Sequence, residues 1–275
     1  MAMQYEEISL KDLYGCVSGG TLKVLSMDSP WGPGRNWVRP ALIVVPGGAY
    51  WGVAKREGEC VAADFFSRGY QVCVLKYLCR EDGARYPEQI FELGCAVDYL
   101  RKNAKRLRIN PKEIFAVGFS AGGHLVADYS NEYPTLKKRT GVDLDCAVRA
   151  VGLSYPVIND HAETFDNLTY GYPAEEAVKM QESLRMDRRV TSDTPPTFLW
   201  TTAEDYFVPA HNTLDYARAL SEHRVPFECH VYPHGAHGKS NGSAEVNDDP
   251  VGNRILSAWV EDMARFFREY CKESH

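Results

Sequence analysis

The pentapeptide Gly118-Phe119-Ser120-Ala121-Gly122 matches G-x-S-x-G, a pattern that holds a serine on a strained turn with its hydroxyl exposed. Its context strengthens it, because IFAVG before it reads as a strand and AGGHLVAD after it as a helix. A serine alcohol is a weak nucleophile and needs a general base within hydrogen-bond reach, itself oriented by an acid. Of the eight histidines, His234 and His237 lie in PHGAHG, directly after the last predicted strand. His237, flanked by Ala236 and Gly238 that leave its ring room, is the better base, and His230 falls within the strand itself. The acid is sought after TFLWTTA, where Asp205 is the first short carboxylate and Glu204 the alternative. Together these residues would perform acyl transfer through a covalent intermediate. His230, His234 and His237 could also suggest a metal site, but no carboxylate or cysteine joins them in a ligand spacing, so no metal is expected.

A tetrahedral intermediate needs donors for its oxyanion. The Gly-rich segment PGGAYWG (46–52) can point backbone N–H groups at one, which makes Gly48, Ala49 and Ala121 the expected donors. Tyr50, Trp51 and Tyr155 are candidate walls of the substrate pocket, although an aromatic after a glycine turn is as often packing. His124 reads as a packed or hydrogen-bonded residue beneath the site, and Arg56 with Glu57 as an ion pair or helix cap.

These residues must be positioned by a scaffold, and short β-branched runs alternating with amphipathic segments predict an α/β fold with a mostly parallel sheet covered on both faces. Strands are expected at 41–45, 71–79, 114–118, 148–158, 197–203 and 226–233, and helices at 57–68, from Pro87 to Arg108, after Ser120, at 212–223 and from Arg254 to Tyr270. The polar, aromatic-spotted stretch 159–194 reads as an inserted cap, and no linker divides residues 1–275 into more than one domain.

Composition excludes other classes. The 31 Lys+Arg against 37 Asp+Glu leave a net charge of −6, and the one basic cluster, Lys137-Lys138-Arg139, has no nucleic-acid-reading motif around it. No nucleic-acid partner is expected. The start lacks a signal-like apolar run and no stretch is long enough for a membrane span, so no membrane partner is expected either. Eight cysteines without a C-x-x-C pair read as reduced core residues of a cytoplasmic protein.

Four segments in order, PGGAYWGVAKREGE, GFSAGGHL, TAEDYFVP and HVYPHGAHG, resemble the α/β-hydrolase esterases of the hormone-sensitive-lipase and acetyl-esterase group, and most of all the small bacterial carbohydrate (xylan) acetylesterases. The resemblance covers roughly residues 40 to 270. It implies an α/β-hydrolase fold of eight strands, with Ser120 as nucleophile, Asp205 and His237 as its partners, and Gly48, Ala49 and Ala121 as oxyanion donors. It further implies a serine carboxylesterase that needs no cofactor and acts on short acetyl esters, with an acetylated oligosaccharide as the small-molecule substrate. Oligomeric state, including a homo-oligomer, stays open. The sequence departs from the His-Gly-Gly-Gly pattern at Pro46 and Ala49, and GGAYW is similar to a loop of kynurenine formamidases, which keeps an amidase alternative. A non-catalytic binding protein on the same fold would most simply have lost Ser120 or His237, and both are present.

Overall fold

Apolar runs such as ALIVV have no polar face, so they are stable as strands only when helices cover both sides of the sheet. The computed structural model describes residues 3–31, 36–248 and 256–271 and shows that arrangement. Eight strands, β1 (Met3–Ser9), β2 (Thr21–Met27), β3 (Arg39–Val45), β4 (Gln71–Lys76), β5 (Ile109–Phe119), β6 (Val151–Ser154), β7 (Thr197–Thr202) and β8 (Phe227–Tyr232), form one sheet. Their order is β1-β2-β4-β3-β5-β6-β7-β8. β2 runs antiparallel to β1 and β4, and every other pairing is parallel. This is the eight-stranded, mostly parallel sheet of an α/β hydrolase.

Alternation along β3 distributes side chains to two cores. Ala41, Ile43 and Val45 face a layer that includes α2 (Glu88–Lys102), α4 (Ala121–Thr140) and α7 (His211–Glu222). Leu42 and Val44 face α1 (Glu59–Ser67) and α8 (Ala258–Glu269), where Phe65, Trp259 and Phe267 pack against the sheet. Among the described residues no helix is long and apolar enough to cross a membrane.

Several expectations shift. The hairpin β1–β2 had no place in the sequence reading because β1 is largely exposed and lacks a continuous apolar run. The helix expected from Pro87 to Arg108 breaks at Asn103, whose side-chain amide donates to the Tyr99 carbonyl at 2.9 Å, and a short α3 (Ala104–Leu107) follows. The segment expected as a helix from Glu57 begins at Glu59 instead, with Glu57 in a preceding 3₁₀ turn. The expected start of the last helix at Arg254 lies outside the described residues. Between β6 and β7 the chain forms α5 (Ala162–Leu168), α6 (Ala174–Ser183) and a 3₁₀ turn at Met186–Arg188, within the stretch expected to form a cap. Every segment singled out for chemistry follows the C-terminal end of a parallel strand: residues 46–51 after β3, Ser120 after β5, Asp205 after β7 and His237 after β8.

Candidate active site

The turn at Ser120 is tight because β5 must reverse directly into α4. Ser120 sits at φ 52°, ψ −118°, a conformation that costs a non-glycine residue about 1–3 kcal/mol. Neighbouring hydrogen bonds over-determine it: Ser120 N–H donates to Ser154 O at 3.0 Å, while its carbonyl accepts from His124 and Val157 N–H, both at 3.1 Å. The flanking glycines are steric necessities. A Cβ on Gly118 would overlap the Gly122 carbonyl, and one on Gly122 would overlap the carbonyls of Val45 and Pro46.

Three of the residues chosen from the sequence meet in one chain. His237 Nε2 lies 2.8 Å from Ser120 Oγ, and His237 Nδ1 lies 2.6 Å from Asp205 Oδ2. The other carboxylate oxygen of Asp205 accepts from the N–H groups of Phe207 (3.1 Å) and Val208 (2.8 Å), so the acid is locked by its own turn. The alternatives fall away from this chain. Glu204 pairs with the exposed His234 at 2.9 Å, and His230 pairs with Glu228 at 2.7 Å. The three neighbouring histidines therefore diverge, and among the described residues no group of three or more His, Cys, Asp or Glu could hold a metal ion.

The 46–52 loop packs on this turn so closely that a Cβ on Gly47 would lie 2.9 Å from the Ser120 Cβ. Gly48, Ala49 and Tyr50 all have positive φ (127°, 52° and 56°), so Ala49 takes a left-handed conformation that a residue with a Cβ ordinarily avoids. Tertiary contacts hold it there: the Asn167 amide donates to Ala49 O at 2.9 Å, and Tyr50 is buried with its hydroxyl 3.0 Å from His124 Nδ1. The N–H groups of Gly48 and Ala49 have no acceptor among the described residues, and Ala121 N–H, in the first turn of α4, has no carbonyl four residues back to bond. None of the three is therefore committed to an acceptor among the described residues.

Two pocket-wall expectations need correction. Tyr50 is 1% exposed and Tyr155 2% exposed, because each hydroxyl is satisfied inside the protein, so neither presents a surface to a ligand. Trp51 is 53% exposed, with the Arg80 guanidinium 5.2 Å from its ring centre and 4.4 Å from that of Tyr170. Phe207, also half-exposed, lies 5.2 Å from the His237 ring and 4.6 Å from His161 on the cap. His124 is wholly buried between Tyr50 and the Leu184 carbonyl, to which its Nε2–H donates at 2.9 Å, and burial pulls its pKa down to about 4. Glu57 forms no ion pair with Arg56. It is buried, bonded to Gly47 N–H and Tyr155, and burial pushes its carboxyl up from the ordinary range.

Sequence reasoning passed over Asn167 and Arg80, each brought to the site from a remote segment without a local motif, and Phe207, which lies two residues after Asp205 within TAEDYFVP. A charged residue in the spacing REGE, just after the Gly-rich loop, was the one available signal for Glu57.

Known proteins share this arrangement of chain. An endo-1,4-β-xylanase B from Butyrivibrio fibrisolvens is 33% identical over 208 residues, 73% of this chain and 32% of that protein. An acetylxylan esterase from Xylanibacter ruminicola is 27% identical over 211 residues, 74% of this chain and 42% of that protein. The chain thus spans about a third to two-fifths of the length of these relatives. Among solved structures, the carboxylesterase Cest-2923 from Lactobacillus plantarum WCFS1 is similar with a TM-score of 0.83 and 26% identity, over 98% of this chain and 100% of that one. An acetyl ester-xyloside bifunctional hydrolase from Caldicellulosiruptor lactoaceticus has a TM-score of 0.76 and 28% identity, over 94% and 96% of the two chains. The BD-FAE family model matches residues 32–220, most of the chain including the turn at Ser120, and the protein belongs to that family of α/β hydrolases.

Proposed function

We propose that the protein is a serine esterase that removes acetyl groups from carbohydrate, xylo-oligosaccharides in particular. The observation that carries the reading is the continuous hydrogen-bonded chain from Asp205 through His237 to Ser120; the N–H groups of Gly48, Ala49 and Ala121 have no acceptor among the described residues and are the donors this reading assigns to the oxyanion. In the neutral imidazole, Nδ1–H donates to Asp205 and Nε2 accepts from the Ser120 hydroxyl, which is the tautomer a base requires. Ser120 Oγ attacks the ester carbonyl as its proton passes to His237 Nε2. The oxyanion is met by the amides of Gly48, Ala49 and Ala121. His237 then returns the proton to the leaving alcohol oxygen as the C–O bond breaks and the acyl-enzyme forms. Water, deprotonated by the same nitrogen, attacks the acyl carbonyl and releases acetate, with the proton restored to Ser120.

The substrate class rests on likeness to proteins named acetylxylan esterase and acetyl ester-xyloside hydrolase. A cap whose longest helix, α6, buries none of its residues supports short acyl groups, since it offers no apolar shelter to a long chain. The test is kcat/KM for p-nitrophenyl esters from acetyl to octanoyl, with acetate release from acetylated xylo-oligosaccharides and formylkynurenine hydrolysis alongside. Acetyl should be the best acyl group. A maximum at hexanoyl or longer, or efficient cleavage of formylkynurenine in place of acetylated xylo-oligosaccharides, would overturn the assignment.

A further inference from the structure

One buried carboxylate touches both halves of the site. Glu57 Oε2 accepts from Gly47 N–H at 2.8 Å, in the peptide next to Gly48. Its Oε1 accepts from the Tyr155 hydroxyl at 2.8 Å, and that hydroxyl oxygen in turn accepts from Ser240 N–H at 2.9 Å, three residues beyond His237. The Tyr155 ring itself stands edge-on to the His237 ring, 5.0 Å between centres at 72°, and is backed by Trp200 at 4.9 Å and Phe119 at 5.8 Å. Ser240 is left-handed (φ 52°) and fully buried, with its hydroxyl donating to Arg56 O at 2.6 Å, so this turn is tied back to the same 3₁₀ segment that carries Glu57.

A buried carboxylate with no cation in salt-bridge range among the described residues is costly to keep, and an amide or apolar residue would be cheaper if its only task were to fill space. What a carboxylate alone supplies is two acceptor oxygens at a fixed separation. One can receive an N–H from the 46–52 loop while the other receives an O–H from the residue that supports the histidine. An amide would present a donor to one of those two partners.

We infer that Glu57 is a positioning residue for catalysis: through Gly47 and Tyr155 it sets the distance between the oxyanion-binding amides and the His237 ring. The inference rests on the serine-esterase reading above. Glu57 and Tyr155 act in series on the same brace, with Glu57 touching neither substrate nor the reacting atoms. Substrate in its ground state gains little from this spacing, whereas the transition state, which needs donors and proton acceptor placed together around Ser120, gains most. The effect therefore belongs in kcat rather than in KM.

The experiment compares wild type, E57Q, Y155F and the double variant on p-nitrophenyl acetate, with melting temperature and the rate of covalent labelling of Ser120 by a fluorophosphonate. Each single variant should lower kcat tenfold or more, change KM less than threefold and slow labelling in parallel. The double variant should lose no more than the worse single one, because both cut one brace. Y155F keeps the ring and removes only the hydroxyl, so the proposal stays testable if E57Q folds poorly. Folded variants with kcat within twofold of wild type, losses confined to KM, or multiplicative losses in the double variant would overturn the brace. A wild-type protein that neither labels at Ser120 nor cleaves the ester would instead overturn the esterase reading on which it rests.

Discussion

The side-chain amide of Asn167 holds the carbonyl of Ala49 at 2.9 Å, and the carbonyl of the same side chain receives Arg80 Nη1 at 2.9 Å. A residue on cap helix α5 therefore fixes a left-handed peptide in the loop expected to bind the oxyanion. Asn167→Ala should free that peptide and leave Ala49 O unpaired, lowering kcat about tenfold with a stability loss of about 1–3 kcal/mol. Steady-state kinetics and chemical denaturation check both numbers, and an unchanged kcat would show that the cap does not hold the loop.

Two histidines only three residues apart should behave in opposite ways. His237→Ala and Ser120→Ala should each reduce kcat by about 10⁴-fold or more, because members of such a chain act as a unit. His234→Ala should stay within about threefold of wild type, since its exposed ring bonds only Glu204. Ester turnover by the three purified variants distinguishes them, and a dead His234→Ala protein would move the base.

Asp205→Asn should cost about 10³–10⁴-fold in kcat while leaving the turn folded. The amide can keep one acceptor toward Phe207 and Val208 but then presents N–H to His237 Nδ1, which favours the tautomer with its proton on Nε2, facing Ser120. Rates with and without added small nucleophiles such as hydroxylamine would show whether acylation or deacylation suffers more.

His124 gives a stability prediction. Burial lowers its pKa from 6.5 to about 4, so between those values the unfolded chain binds a proton that the folded one does not. Stability from this group is present above pH 6.5 and is lost as pH falls toward 4, by about 2 kcal/mol between pH 7 and pH 5. His124→Gln lacks the titration. Its stability deficit relative to wild type should therefore shrink over that interval, as measured by urea denaturation at the two pH values; a constant deficit would mean the ring is not held neutral.

Trp51 and Tyr170 flank Arg80 beside the 46–52 loop, with both rings about half-exposed. Flat, braced aromatic surfaces suit the apolar faces of sugar rings. Trp51→Ala should raise KM for acetylated xylo-oligosaccharides about fivefold or more while leaving p-nitrophenyl acetate within about twofold, the difference reflecting lost stacking of about 1 kcal/mol. Equal effects on both substrates would place Trp51 in the fold of the loop instead.

Local patterns determined a good deal of this protein. Glycine at 118 and 122 around Ser120 announces a turn whose sterics admit nothing larger, and the apolar runs of β3 to β7 announce strands buried on both faces, with the half-exposed edge strand β8 after them, so the ends of those strands and the residues after them could be located from the sequence. Asp205 and His237 were legible because each directly follows such a strand. What tertiary structure alone decided was which way side chains in the intervening loops turn. Tyr50 and Tyr155 look like pocket walls in the sequence, yet both point inward because His124, Glu57 and Ser240 offer their hydroxyls partners that are 74, 98 and 85 residues away. Glu57 reads as an ion-pair partner of Arg56 or a helix cap and is a buried carboxylate bonded to Gly47 and Tyr155, Ala49 is left-handed although nothing in its residue type requires it, and Asn167 carries no motif at all. The physical reason is common to them: each conformation is unfavourable locally and is stabilised by hydrogen bonds across large sequence separations, which a local pattern of residue types does not encode.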